Sequence, residues 1–227
     1  MHLSIVINTF KRPDLLRRCV ECILAQHDTV PLEIIVVDDG SGTALQPLLK
    51  DLPVTVLRHS INLGQGAALQ TGFDYALSKQ AAYIVTFDAD GQHQSADIDN
   101  LLQPLVSGEA DIALGSRFLS KDSNIPAGRK RLLRFARLVN YIFTGLLLSD
   151  AHNGMRAMTA AAAQKIRLRQ TGMAHATEII AEVRKKKLRY KEVPVNIQYS
   201  SYSKTKGQSA WGSFRIFFDI LLNKIFK

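Results

Sequence analysis

Apolar residues along this chain follow two alternating rhythms: short, near-continuous runs rich in Ile and Val, and longer stretches in which apolar positions return every three or four residues. Runs such as Ile34-Ile35-Val36-Val37 have the length and composition of strands buried on both faces, and the spaced stretches between them read as amphipathic helices. The series is strand 3–8, helix 13–26, strand 32–38, helix 43–51, strand 53–58, helix 64–79, strand 82–88, helix 95–107 and strand 110–115. Strands separated by helices predict an α/β fold with a mostly parallel central sheet flanked by helices. Ligands of such sheets gather at the carboxyl ends of the strands.

After residue 116 the rhythm changes. A polar loop runs to Pro126, a basic helix covers about 127–148, a helix follows near 175–187, and 190–197 reads as an edge strand where Pro194 is tolerable. Residues 199–210 are rich in Ser, Tyr, Lys and Gly without apolar period and read as a mobile loop. Residues 211–227 predict a terminal amphipathic helix with Trp211, Phe214, Phe218, Leu221 and Ile225 on one stripe, flanked by Arg215, Lys224 and Lys227. The expected organisation is one domain, 1–198, in two halves (1–116 and 117–198), then the loop and the helix.

Composition sharpens this picture. With 227 residues, 46% of them hydrophobic, the chain can bury one sizeable core. Its net charge of +9 favours anionic partners, yet no RNA-binding or helix-turn-helix signature accompanies the cations, so nucleic acid is not expected. Cys19 and Cys22 lack a second pair or histidine cluster to complete a zinc site and read as reduced thiols of a cytoplasmic protein. The first residues read as a strand, not a leader, and no run reaches the roughly 18–20 apolar residues that span a bilayer. The expected location is cytoplasmic, at most peripheral on the inner face of a membrane.

The candidate chemistry lies where Ile84-Val85-Thr86-Phe87 ends in Asp88-Ala89-Asp90-Gly91-Gln92. Two carboxylates at i, i+2 on one face of a strand end suit a hard divalent cation that also holds phosphate oxygens. The alternative is an Asp-Ala-Asp-Gly turn whose acids cap the next helix. Asp38 and Asp39 end the second strand in the same way, so two acidic clusters should converge on one crevice.

Six blocks in order extend these observations: Ile5-Val6-Ile7-Asn8-Thr9-Phe10, Val36-Val37-Asp38-Asp39-Gly40-Ser41, Asn62-Leu63-Gly64-Gln65-Gly66 through Gly72, Asp88 to His93, Gly115-Ser116-Arg117-Phe118, and Asn153-Gly154-Met155-Arg156-Ala157. With them the chain resembles the family 2 glycosyltransferases of GT-A fold, and within these the dolichol- or polyprenyl-phosphate sugar synthases. The resemblance implies a UDP- or GDP-linked nucleotide sugar as donor, a divalent metal (Mg2+ or Mn2+) and inverting transfer, with 1–116 the nucleotide-sugar half and 117–198 the acceptor side. It implies donor binding by Asn8, Phe10, Arg12, Asp39, Gly64, Gly66 and Asp88, with Asp39 accepting from the base and Phe10 packing near it. Asp88, Asp90 and Gln92 would serve as metal ligands, and Lys204 or Lys206 would close on the diphosphate. Asn8 stands where the family usually has Pro, and Lys11-Arg12 follow where an acidic residue is usual.

At the acceptor, an ionised lipid phosphate is its own nucleophile and needs cations; a sugar hydroxyl needs a base. The resemblance implies that Arg117, and Arg129 or Arg131 at the start of the basic helix, stand where a phosphate would be held, and arginine's fork suits phosphate oxygens. Glu178, one turn after His175, is the candidate base if the acceptor is a hydroxyl, and Arg156 a possible structural partner for an acidic loop. Three readings compete: transfer to a polyprenyl phosphate at the cytoplasmic membrane face for cell-surface glycan synthesis; transfer to a saccharide hydroxyl on the same fold; and a receiver-like, non-catalytic nucleotide-binding module. The first implies a membrane surface as partner, with a small membrane protein or self-association as further options.

Overall fold

A computed structural model describes residues 2–198 apart from 12, 28–30, 43–44, 122–124, 126 and 173. The loop expected at 199–210 and the helix at 211–227, with Lys204 and Lys206, lie outside the described residues, as do Arg12 and the side chain of Arg129.

Seven strands form one sheet: β1 (Leu3–Thr9), β2 (Leu32–Asp38), β3 (Val54–Arg58), β4 (Tyr83–Asp88), β5 (Ile112–Ser116), β6 (Arg156–Thr159) and β7 (Tyr190–Pro194), in the order β3-β2-β1-β4-β6-β5-β7. All pair in parallel except β6, which runs antiparallel to both β4 and β5. Alternation sorts the side chains between two cores. Leu3, Ile5, Ile7, Val36 and Phe87 meet Leu16, Val20 and Ile23 of α1 (Pro13–Gln26) and Ile98 and Leu101 of α4 (Asp97–Val106). On the other face Val6, Ile35, Val37 and Ile84 meet Leu69 and Phe73 of α3 (Gln65–Ser78) and Ile179, Ile180 and Val183 of a later helix, His175–Lys185. Gly72 lets α3 lie close on β1, since a Cβ there would stand 2.3 Å from Val6 Cγ1.

Several boundaries differ from the sequence pattern. Within the stretch expected as helix 43–51, the helix is a single turn, α2 (Gln46–Leu49), with Pro47 in its first turn. The basic helix α5 (Ala127–Thr144) stops before Gly145, whose φ of +70° is a left-handed conformation that glycine adopts without strain. Strand β6 and helix α6 (Ala160–Lys165) escaped the periodicity reading, because β6 is too short to alternate and passes directly into α6 at Thr159, whose side chain accepts from Ala162 N–H as N-cap. The following helix is α7 (His175–Lys185). The expected edge strand 190–197 ends at Pro194; the chain then crosses to the sheet's carboxyl edge, where Ile197 pairs with His93 and Gln198 N–H donates to the Gln92 carbonyl at 2.9 Å.

Candidate active site

Parallel pairing in register sets the site. Thr9 stands opposite Asp38 and Asn8 opposite Asp88, so the ends of β2 and β4 flank the end of β1 and both acidic clusters reach the same edge. One expectation needs correction: β4 ends at Asp88, so Asp88 and Asp90 do not share a strand face. Asp90 sits exposed in the turn that follows, where Gly91 has a φ of +73°, and its Oδ1 accepts Gln92 N–H at 2.9 Å.

Asp88 is the centre of the arrangement. Its Oδ1 accepts from Gln65 Nε2 at 3.2 Å and its Oδ2 lies 3.6 Å from His93 Nε2. Gly154 presses against it so closely that a Cβ there would come within 1.8 Å of Oδ2. Burial works to raise the Asp88 pKa, but His93, Arg156 and His175 outweigh it and hold the carboxyl below its ordinary range. Burial pushes His175 down to about 4, reinforced by the charge of Arg156, and lowers His152 as well. Arg156, itself buried, is thus the fixed cation of this pocket, between Asp88 and Asp150. Buried polar atoms without a hydrogen-bond partner among the described residues include Asn8 Oδ1, on the residue paired with Asp88, His93 Nδ1, the ring nitrogen away from Asp88, and Asn153 Nδ2, next to Gly154. Unsatisfied buried groups are costly, which makes these three atoms candidates for bonding a polar ligand.

Asp39 shapes the neighbouring loop. Its Oδ1 accepts from His59 Nδ1 at 2.8 Å and Leu63 N–H at 2.9 Å, and its Oδ2 from Gly64 N–H at 2.7 Å. Three of about four acceptor positions on the carboxylate are filled, two on Oδ1 and one on Oδ2. Beside it Phe10 is exposed, with Lys11 Nζ 5.0 Å from its ring centroid.

Gly64 and Gly66 do allow a close backbone approach at the start of α3, but the approaching backbone is the chain's own. A Cβ on Gly66 would lie 1.9 Å from the Gln170 carbonyl, one on Gly64 2.3 Å from that of Thr171, and Gly66 N–H donates to the Thr171 carbonyl at 2.8 Å. Glu178 secures that loop: its carboxylate accepts Arg169 N–H at 3.0 Å and Gln170 N–H at 2.9 Å. The candidate base is therefore a loop clamp, its oxygens occupied by backbone donors.

Arg117 also differs from expectation. It is buried, its Nε donates to Asp150 Oδ2 at 2.6 Å, its backbone N–H to the same oxygen at 3.1 Å, and its Nη2 to the His152 carbonyl at 3.4 Å. A guanidinium committed in this way braces the 150–156 loop instead of facing an acceptor. Arg117, not Arg156, is the ion-pair partner of the acidic loop. Arg131 is exposed on α5. Gln65, His93, His152, His175 and Arg156 are the site residues that motif reading passed over; only Gln65, His93 and Arg156 fall inside quoted blocks. No three His, Cys, Asp or Glu side chains among the described residues form a metal-ligand cluster.

Comparison with known proteins finds relatives over most of the chain. An uncharacterized protein of Methanocaldococcus jannaschii is 36% identical over 85% of this chain and 81% of its own length. The UDP-N-acetylglucosamine–dolichyl-phosphate N-acetylglucosaminyltransferase of Methanococcus voltae is 29% identical over 86% of each. Among solved structures, glucosyl-3-phosphoglycerate synthase from Mycobacterium tuberculosis, crystallised with Mn2+ and UDP-glucose, superposes with a TM-score of 0.73 over 98% of this chain and 78% of its own, at 15% identity, which speaks for the GT-A fold alone. Residues 4–167 match the family described as glycosyl transferase family 2, and with strand-end acids, sheet order and relatives in agreement, the chain belongs to that family of glycosyltransferases.

Proposed function

We propose that this enzyme moves a sugar from a nucleoside-diphosphate sugar, UDP- or GDP-linked, to a polyprenyl phosphate, with inversion and with a divalent metal, at the cytoplasmic face of the membrane for cell-surface glycan synthesis. The observation that carries the reading is the strand-end Asp88, held ionised by His93 and the buried Arg156, with polar atoms on the neighbouring Asn8, His93 and Asn153 unpartnered among the described residues. The dolichyl-phosphate acceptor named for the Methanococcus voltae relative supports the acceptor class.

The donor atoms suit Mg2+ or Mn2+: Asp88 and the exposed Asp90 offer hard oxygens with no thiolate between them, and Gln92 borders the same turn. A metal held there supplies Lewis-acid neutralisation of the leaving diphosphate. The protein's own part is positional. Gln65 and Gly154 fix the Asp88 carboxylate, and His93 and Arg156 keep it ionised. Asp39 holds the 62–64 loop beside Phe10, where a base would stack. Gln198, bonded to Gln92, tethers the C-terminal segment at the site, and six residues of extended chain reach roughly 20 Å, enough to bring Lys204 to a diphosphate there. An ionised phosphate oxygen attacks the anomeric carbon opposite the leaving group without a proton to remove, which accords with a Glu178 carboxylate already occupied by backbone amides.

The test is release of nucleoside diphosphate from a panel of nucleotide sugars with Mg2+ or Mn2+, with and without polyprenyl phosphate. Release that rises at least about tenfold only when lipid phosphate is present is expected. Release driven instead by a saccharide acceptor would replace this reading with transfer to a hydroxyl.

A further inference from the structure

Helix α5 wears its apolar stripe on the wrong side for a core helix. Phe135, Leu138 and Ile142, spaced i, i+3, i+7, are 55%, 53% and 67% exposed, and Tyr141 beside them is exposed as well. The opposite, buried face carries the polar pair Asn140 and Thr144: Thr144 Oγ1 donates to the Asn140 carbonyl at 2.8 Å and accepts from Asn140 Nδ2 at 3.3 Å, while Asn140 Oδ1 has no hydrogen-bond partner among the described residues. Among the described side chains of α5 those that are fully buried are thus polar, with Leu133 half-buried, while Phe135, Leu138, Tyr141 and Ile142 turn to solvent. The first turns of the same outward face hold exposed Lys130, Arg131 and Arg134.

We infer that the outward face of α5 seats on a bilayer surface bearing anionic headgroups, its apolar stripe in the acyl boundary and its cations at the phosphates. Charge decides among possible occupants. A second copy would bring the same cations to a face already positive, and residues 211–227 carry Arg215, Lys224 and Lys227 against the single acid Asp219. Anionic lipid is the partner that both neutralises Lys130, Arg131 and Arg134 and buries the stripe. No helix among the described residues is long and apolar enough to cross a membrane, so α5 lies in the plane. The helix, about 27 Å long for 18 residues, ends at Thr144, and the chain continues to Gly154 against Asp88; a lipid-phosphate acceptor requires the Asp88 pocket to open toward the same bilayer. That last consequence rests on the lipid-phosphate reading proposed above; the docking itself does not.

The experiment is sedimentation of the full-length protein with vesicles of phosphatidylcholine mixed with phosphatidylglycerol, beside vesicles of phosphatidylcholine alone. The full chain is expected to sediment with the anionic vesicles. Phe135→Glu with Ile142→Glu should lower that partition at least about tenfold, and Lys130→Gln with Arg134→Gln should weaken it and flatten its dependence on salt. Transfer to a short, water-soluble prenyl phosphate should be unchanged in the Phe135/Ile142 variant, while transfer to long-chain lipid in vesicles falls. Undiminished vesicle binding by that variant overturns the inference, as does equal binding to both vesicle types. A dimer that the same substitutions dissociate assigns the face to a second copy, and loss of the variant's circular dichroism assigns it to the chain's own core; either overturns it. Vesicle binding that obeys these expectations in a protein inactive toward every lipid phosphate refutes the proposed reaction alone.

Discussion

The two halves of this enzyme are held together by different physics. Around β1, β2 and β4 the carboxyl edge is set by parallel pairing of continuous apolar strands, so Asp38 and Asp88 arrive in place through hydrophobic burial and register alone. Beyond β5 the loops are pinned by individual charges: Asp150 on Arg117, Glu192 on the Ser149 backbone N–H at 2.7 Å, Asp97 on Asn196 N–H at 2.6 Å, and Glu178 on the 169–170 amides. In the first half Asp39 also pins backbone, the 63–64 amides, but among the described residues Asp88 accepts only from the Gln65 side chain and faces His93, so the carboxylate at the end of β4 is not a backbone peg. The second half uses acids as structural pegs, so replacing one there should change stability before it changes chemistry.

The largest effect expected from this contrast is on rate. Asp90→Asn should reduce transfer on the order of a thousandfold by weakening stabilisation of the leaving group, with an unaltered melting temperature, because Asp90 is an exposed turn residue. A variant with full activity, or a wild type indifferent to chelator, would remove Asp90 from the site. Arg117→Ala should behave in the opposite way. Stranding the buried Asp150 carboxylate should cost roughly 3–5 kcal/mol of stability, measured by chemical denaturation, and Arg117→Met with Asp150→Leu should regain much of it.

Next in size is a pH effect. His175 has a folded-state pKa of about 4 against 6.5 when unfolded, so the unfolded chain binds the proton first and stability falls as pH drops from 6.5 toward 4. The full difference is about 3 kcal/mol, and His175→Gln should flatten that part of the stability profile. The smallest effect belongs to Glu178→Gln, which keeps one acceptor for the 169–170 amides and should cost about 1 kcal/mol. Transfer should remain within a fewfold of wild type; a loss of several hundredfold would restore Glu178 as a base.

Those parts of the molecule that repeat a rule were legible in the sequence. Ile and Val runs located β1, β2 and β4, and the abrupt apolar-to-acidic switch at Asp88 marked the end of β4 where the candidate site lies, because strand periodicity and the edge rule for parallel sheets are local. What depended on distant partners was not. Arg117 and Arg156 are both arginines beside motif glycines, and nothing in their spacing tells which one finds Asp150. The roles of Gly64 and Gly66 looked like those of a ligand-cradling loop, because a close approach leaves the same mark in sequence whether the visitor is a phosphate or residues 170–172. Strand β6, only four residues long, was hidden because its place between β4 and β5 comes from their edges, not from any pattern of its own. Helix α5 was legible as a basic helix but its outward stripe was not, since a helical wheel does not say which side is the core.

Gly154 shows how an atom's absence can be selected. Its backbone is not among the left-handed glycines, so torsion alone would accept any residue, yet Asp88 Oδ2 occupies the volume where a side chain would begin. At Gly128 and Gly172 a new methyl group meets nothing. In a saturation scan of this gene, positions 128 and 172 should therefore tolerate alanine while position 154 reads as intolerant as the acid it touches, and a residue with no functional group would score among those that perform the chemistry.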